Sequence, residues 1–491
     1  MKKKTFISTG MSTLKEVEEA LKVFRDRFNI PISDDQIAET PFYKPPSNSP
    51  EMQYLQERRS ALGGYLPARR QTAEAYAVPD LSAFETQLKS SGKRKISTTM
   101  AFVRILNTLV KDKQLGKFIV PIVPDEARTF GMEGMFRQLG IYSSVGQLYE
   151  PVDHEELMYY REDTKGQILE EGINEAGAFS SWISAATAYS YHNKPMIPFY
   201  IFYSMFGFQR IGDLAWAAGD SQARGFLLGG TAGRTTLAGE GLQHQDGHSH
   251  LLSSTIPNCI SYDPTFAFEL AVVIQDGLRR MFAEQENIFY YITVMNENYQ
   301  HPAYDESYRD GILKGMYLLR DGGSDDAGKV QLMGSGTILR EVLAAAELLE
   351  EDFEVTADVW SVTSFNELRR EGLDCQRWNM LHPEIEPRVS YVQSNFEGRS
   401  GPVIAATDYM KIFADQIREF VPNRYVVLGT DGYGRSDTRK GLREFFEVNA
   451  HYIVVATLKA LADEGTIPRQ TVTAAIKKYR IDPEKPNPVT V

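Results

Sequence analysis

The chain has 491 residues, 42% hydrophobic and 24% charged, an ordinary globular composition long enough for two or three domains with sizeable cores. A net charge of -12 argues against nucleic acid or an anionic membrane as the main partner, because either favours a basic face, and no strongly basic tract occurs. Cys259 and Cys375 are the two cysteines; they lie outside any CxxC spacing, so core thiols in a reducing compartment are expected rather than a zinc ribbon or disulfide framework. The start lacks the apolar run of a secretory leader, and no later stretch approaches about 18 uninterrupted apolar residues, so a soluble cytoplasmic protein is expected.

Residues 13–28 place Leu14, Val17, Leu21, Phe24 and Phe28 at spacings of three and four, with Thr13 and Glu16 at capping-box separation, which predicts an amphipathic helix. The stretch 40–50 holds four prolines in eleven residues and precedes an Arg/Gln-rich piece; it reads as an extended arm, so residues 1–94 are predicted to be a helix and an arm. From residue 95 short apolar runs ("FIVPIV", "MIPFYIFYS", "GFLLGG", "NCISYD", "IFYYITV") alternate with longer amphipathic segments. That alternation predicts an α/β domain over 95–315, its parallel sheet covered on both faces. A glycine-rich break at 295–328 reads as a linker, and renewed alternation ("KVQLMGSG", "FEVTADVWSV", "PVIAAT", "RYVVLGT") predicts a second doubly wound α/β domain over 316–491.

Familiar catalytic motifs are missing or incomplete. "GSGTIL" lacks the third glycine of a dinucleotide fingerprint, Leu339 standing in its place, and no P-loop, HExxH or GxSxG occurs. Three of the eight histidines, His244, His248 and His250, fall within seven positions. With Asp246 or Glu240 they form a conceivable zinc set, but a ring at i+6 points away from one at i on a helix, so no metal site is expected. More telling is where polar and aromatic residues follow strands. Asp125, Glu126 and Arg128 follow "FIVPIV", Tyr203 and Phe206 close "MIPFYIFYS", Glu240 and His244 follow "GFLLGG", and Asp263 ends "NCISYD". In an open parallel sheet all of these lie at the carboxyl edge, where ligands bind. Glu175 sits in the first turn of a mostly apolar helix, where burial would raise its pKa.

The segments "GQILEEGINEAGAFSSW", "MIPFYIFYSMFGFQRIGDLAWAAGDSQARGFLLGGTAGRTTLAGEGLQHQDGHSH", "IPNCISYDP" and "GTDGYGRSDTRKGLREFFEV" closely resemble the homodimeric-type thiamine-diphosphate decarboxylase component of the pyruvate dehydrogenase complex. The resemblance covers nearly the whole chain. It implies a pyrimidine-binding domain followed by a transketolase-type C-terminal domain. It also implies that Glu175 hydrogen-bonds the aminopyrimidine nitrogen and promotes its imino tautomer, and that Phe206 stacks on that ring. Tyr203 would lie near the reacting adduct, with Glu240 and His244 on the substrate side and Glu126 among the cofactor-binding residues.

The chain departs from the family in two ways. The family's diphosphate-binding domain carries a GDG and a later Asn for Mg²⁺ and the phosphates; the nearest pieces here are "TDG" at 430–432 and "GDS" at 219–221. The mobile loop usually carries a histidine where this sequence has Met11. The resulting expectation is a β-like subunit of a split thiamine-diphosphate enzyme, paired with a diphosphate-binding subunit on a separate chain that holds most of the Mg²⁺ site. It would decarboxylate a 2-oxo acid and pass the acyl group to a lipoyl-bearing acyltransferase. Met11 keeps open a transketolase-like or acyloin-forming carboligase, and a non-catalytic regulatory partner of such an enzyme is the third reading.

Overall fold

The computed structural model describes residues 13–62, 64, 70–124, 127–150, 160–237, 241–323 and 329–491. The chain divides into two compact units, residues 1–69 and 70–491.

In the first unit the helix Leu14–Arg27 forms as its spacing predicts, closed at its start by the Thr13/Glu16 capping box. None of its residues is buried, and its apolar end closes on itself through the Phe24 and Phe28 rings, 4.8 Å apart. The arm departs from expectation. Pro50–Ala61 is a twelve-residue helix, capped by the Ser49 hydroxyl, which accepts from the Met52 N–H. Pro50 starts this helix instead of breaking it, because at the first helical position its fixed φ suits the turn and no N–H is needed.

The second unit contains two mainly parallel sheets. The first uses β1 (Ile119–Val123), β4 (Leu169–Glu170), β5 (Ile197–Tyr203), β6 (Phe226–Gly230), β7 (Cys259–Tyr262) and β8 (Phe289–Thr293), in the order β4-β1-β5-β6-β8-β7 with every pairing parallel. The two-residue strands β2 (Ile141–Tyr142) and β3 (Glu162–Asp163) pair beside it. These strands read as unbroken apolar runs because both faces are covered. Phe199 and Ile201 point into a core with Phe102, Ile105 and Val272 from the helices Thr98–Val110 and Ala267–Leu278. Tyr200 and Phe202 point the other way, among Phe179, Trp182 and Ala215 of Glu175–Ala186 and Phe208–Asp220.

The second sheet orders β9 (Met316–Arg320), β10 (Val330–Gly334), β11 (Ala357–Val362), β12 (Val403–Ala406) and β13 (Tyr425–Leu428) as β13-β12-β10-β11-β9, with β9 antiparallel at the edge. The stretch read as a linker therefore holds a strand and the short helix Arg309–Lys314. Helices Leu339–Phe353 and Ala450–Asp463 cover one face, and Phe365–Leu381 covers the other. One core runs continuously from the first sheet to the second.

A buried carboxylate ties the loop after β6 to the loop after β12. Asp408 accepts from the Thr235 N–H (2.9 Å), the Thr235 hydroxyl (2.7 Å) and the Thr236 hydroxyl (2.6 Å), and all three residues are buried. Gly233 lies at φ +87, where a Cβ would stand 2.2 Å from the same carboxylate, so both backbone and space demand glycine. Burial pushes the Asp408 carboxyl above its ordinary range, against the pull of these donors. Asp408→Ala removes the carboxylate that accepts from three buried donors, and a loss of about 2–5 kcal/mol in chemical denaturation is expected. An unchanged midpoint would contradict this account of the junction.

Candidate active site at the carboxyl edge of the first sheet

Because the first sheet is parallel, all its strands end at one edge, and the chain leaves β1 for β4 on one side before crossing to β5 on the other. A crevice forms at such a reversal. Tyr203 is the last residue of β5, and the turn Ser204–Phe206 carries Phe206. Gly207 allows the chain to fold back there, since a Cβ would stand 2.1 Å from the Phe202 ring. His244 belongs to the turn Leu242–His244, beyond the end of β6.

These residues meet. The His244 ring lies 4.7 Å from that of Tyr203 and 5.2 Å from that of Phe206, while Phe130, beyond β1, is 5.2 Å from Tyr203. Glu175 opens its helix behind the Asn174 cap, whose Oδ1 accepts the Gly177 N–H at 3.0 Å. Its carboxylate is 17% exposed and ion-paired with Arg210 at 2.8 Å. The Arg210 guanidinium stands 4.2 Å from the centre of the Phe206 ring. Glu175, Arg210, Phe206, His244 and Tyr203 thus form one contiguous cluster.

Of the residues singled out from sequence, Glu175, Tyr203, Phe206 and His244 come together. Glu126, Glu240, Asp125 and Met11 lie outside the described residues. Arg210 was missed; one turn beyond Phe206 in "FGFQR", it carries a positional signal only once Phe206 and Glu175 are paired in space. Asp263 does not join this cluster. It is buried, accepting from the Thr293 hydroxyl at 2.7 Å and the Tyr409 hydroxyl at 3.2 Å.

The other two histidines have separate surroundings. His248 Nε2 contacts Gln209 Oε1 at 2.9 Å. His250 is buried with Nε2 2.9 Å from the Thr293 hydroxyl; that hydroxyl donates to Asp263, so it accepts from a neutral His250. Asp246 accepts the N–H groups of His248 and Ser249 at 2.9 Å each, acting as a turn residue. Among the described residues no group of three or more His, Cys, Asp or Glu side chains could hold a metal ion.

The cluster offers a carboxylate, an aromatic face and an imidazole. At the ends of β5 and β6, Ser204 Oγ and Thr231 Oγ1 are buried without a hydrogen-bond partner among the described residues. This set suits a flat, hydrogen-bonding heteroaromatic ring.

Two mainly parallel, helix-covered sheets joined in this way define an α/β protein of the transketolase type. Transketolase from Campylobacter jejuni shares the fold with a TM-score of 0.57 at 17% identity, over 90% of this chain and 58% of that one. Leishmania mexicana transketolase gives 0.57 at 14% identity, over 93% and 59%. In sequence, residues 76–302 match the pyruvate dehydrogenase E1 component middle domain and residues 315–449 the transketolase-like C-terminal domain. Pyruvate dehydrogenase E1 components of Pseudomonas aeruginosa and Escherichia coli are 66% and 57% identical over 97% and 96% of this chain. The chain spans about half the length of these relatives, 54% and 53%. The chain carries a pyruvate dehydrogenase E1 middle domain and a transketolase-like C-terminal domain, and so resembles the middle and C-terminal portion of these E1 components. Among the described residues no helix is long and apolar enough to cross a membrane.

The buried pair flanking Thr293 has an opposed pH signature. Burial lifts the Asp263 carboxyl to about 7, against hydrogen bonds from Thr293, Ser335 and Tyr409, and drops His250 to about 4, against the pull of Asp246. Between about pH 4 and 7 the folded state keeps a proton on Asp263 that the unfolded chain has released, so this group lowers stability as pH rises. Between about pH 4 and 6.5 the unfolded chain protonates His250 and the folded state does not, so that group raises stability as pH rises. In Asp263→Asn only the second trend remains. Urea unfolding between about pH 4 and 6.5 should show stability rising more steeply with pH than in the parent; an identical slope would refute the assignment.

Proposed function

We propose that this chain supplies the pyrimidine-binding side of a thiamine-diphosphate site in a pyruvate, or related 2-oxo acid, dehydrogenase. The contiguous Glu175–Arg210–Phe206–His244–Tyr203 cluster at the reversal of the parallel sheet carries this reading. The cofactor, when bound, supplies the carbon nucleophile and electron sink needed for decarboxylation. Glu175 would hydrogen-bond the aminopyrimidine nitrogen in place of Arg210, and Phe206 would offer its ring face for stacking. His244 would hold or deliver a proton at the substrate oxygen, with the Tyr203 ring 4.7 Å from the imidazole. Glu240 and Glu126 complete the proposed substrate-side and cofactor-side sets. The diphosphate and Mg²⁺ would fall to a diphosphate-binding segment outside these two domains, and the acyl group would pass to a lipoyl-bearing acyltransferase.

The chain reconstituted with its diphosphate-binding companion should release CO₂ from pyruvate and acetylate lipoamide. Glu175→Ala should lower both by about 100-fold or more while leaving the assembly intact. Full activity in that variant would remove Glu175 from the site. Acyloin formation without lipoamide acetylation would instead assign carboligase chemistry.

A further inference from the structure

The turn carrying His244 is held from the second domain at three points. The Arg439 guanidinium donates to the Thr236 carbonyl, the Met410 N–H donates to the Gly247 carbonyl at 2.8 Å, and between them lies Gln245. Gln245 is 3% exposed although it directly follows the half-buried His244. Its Nε2 donates to the Arg435 carbonyl at 2.6 Å and its Oε1 accepts the Arg435 N–H at 2.7 Å. One carboxamide thus satisfies both main-chain groups of a single residue, as a neighbouring strand would, at a place where neither residue lies in a strand. Asn is a methylene too short for this span, Glu keeps the acceptor and loses the donor, and Ala has neither.

The two loops touch so closely that a glycine is needed. A Cβ on Gly434 would stand 2.6 Å from the Leu242 carbonyl oxygen and 2.8 Å from Gln245 Oε1. Within the turn, the His244 N–H donates to the Gly241 carbonyl (3.3 Å) and the Gln245 N–H to the Leu242 carbonyl (3.2 Å).

We propose that Gln245 is a positioning residue for His244: its carboxamide clamps the His244 turn to the Arg435 backbone, so that the C-terminal domain sets where the imidazole stands over Tyr203 and Phe206. The proposal rests on the reading of His244 as a working group of the site.

The test uses the full chain with its companion and compares Gln245→Ala, Gln245→Glu, Gly434→Ala, His244→Ala and the double variant Gln245→Ala/His244→Ala. Hydrogen exchange of the amides 241–246 should quicken about 10-fold or more in Gln245→Ala and Gly434→Ala, with the second sheet's protection unchanged. Turnover should fall about 10–100-fold with little change in KM, Gln245→Glu falling between parent and alanine. The double variant should be no slower than His244→Ala alone, because a clamp acting through His244 has nothing left to position. Multiplied losses in the double variant, or exchange and turnover unchanged in Gln245→Ala, would overturn the proposal. Full activity in His244→Ala would remove the site reading instead, and the exchange data would still decide whether the clamp exists.

Discussion

The arrangement depends on a carboxylate placed where carboxylates are costly. Asp408 is buried at the junction of the two sheets, and the Thr235 N–H and the hydroxyls of Thr235 and Thr236 make its burial tolerable. Those donors lie just beyond β6, on the segment that continues toward His244. The same interaction that seals the domain junction therefore fixes the root of the segment leading to His244. Gly233 shows how little slack there is, since even a methyl group would overlap the carboxylate.

From that root the site follows from sheet geometry. Parallel strands deliver their carboxyl ends to one edge, and beside the reversal around β1 the rings of Phe130, Tyr203, Phe206 and His244 are in contact. The Glu175 helix brings an acid to the same place, and Arg210 occupies that acid while covering the Phe206 face. The pairing gives the Glu175 carboxylate a cationic hydrogen-bond partner at 2.8 Å. The junction makes this a two-domain site, since the chain flanking His244 contacts Asp408, Met410, Arg435 and Arg439.

Much of this was legible in the sequence. Apart from β4 and β9, the strands of both sheets announce themselves as short apolar runs because two-sided burial leaves no polar alternation, and the Thr13 cap is written locally. What was lost depended on context. Pro50–Ala61 was hidden because its proline cluster reads as a breaker unless Pro50 is recognised as a first helical residue. β9 was hidden in a stretch that reads as linker, since an antiparallel edge strand is half-exposed and mixes Met316 and Leu318 with Arg320. The long helix Phe365–Leu381, rich in charge, gave no reading at all. In the site, Tyr203, Phe206 and His244 could be placed from their positions after strands, and Glu175 from the first turn of its helix. Asp263 looked equivalent, yet its side chain turns toward Thr293 and Tyr409, and a strand end does not encode that choice. Arg210 and Gln245 act through groups distant in sequence, so no local pattern marks them.

The central claim is that these domains hold the pyrimidine side of a thiamine-diphosphate site whose phosphates are held elsewhere. Isolating the chain from its native cells, with thiamine diphosphate quantified and every associated polypeptide segment identified by mass spectrometry, tests it most directly. The account predicts stoichiometric cofactor together with a GDG-bearing diphosphate-binding segment. Recovery of this chain with neither, from cells in which it performs its function, would contradict it.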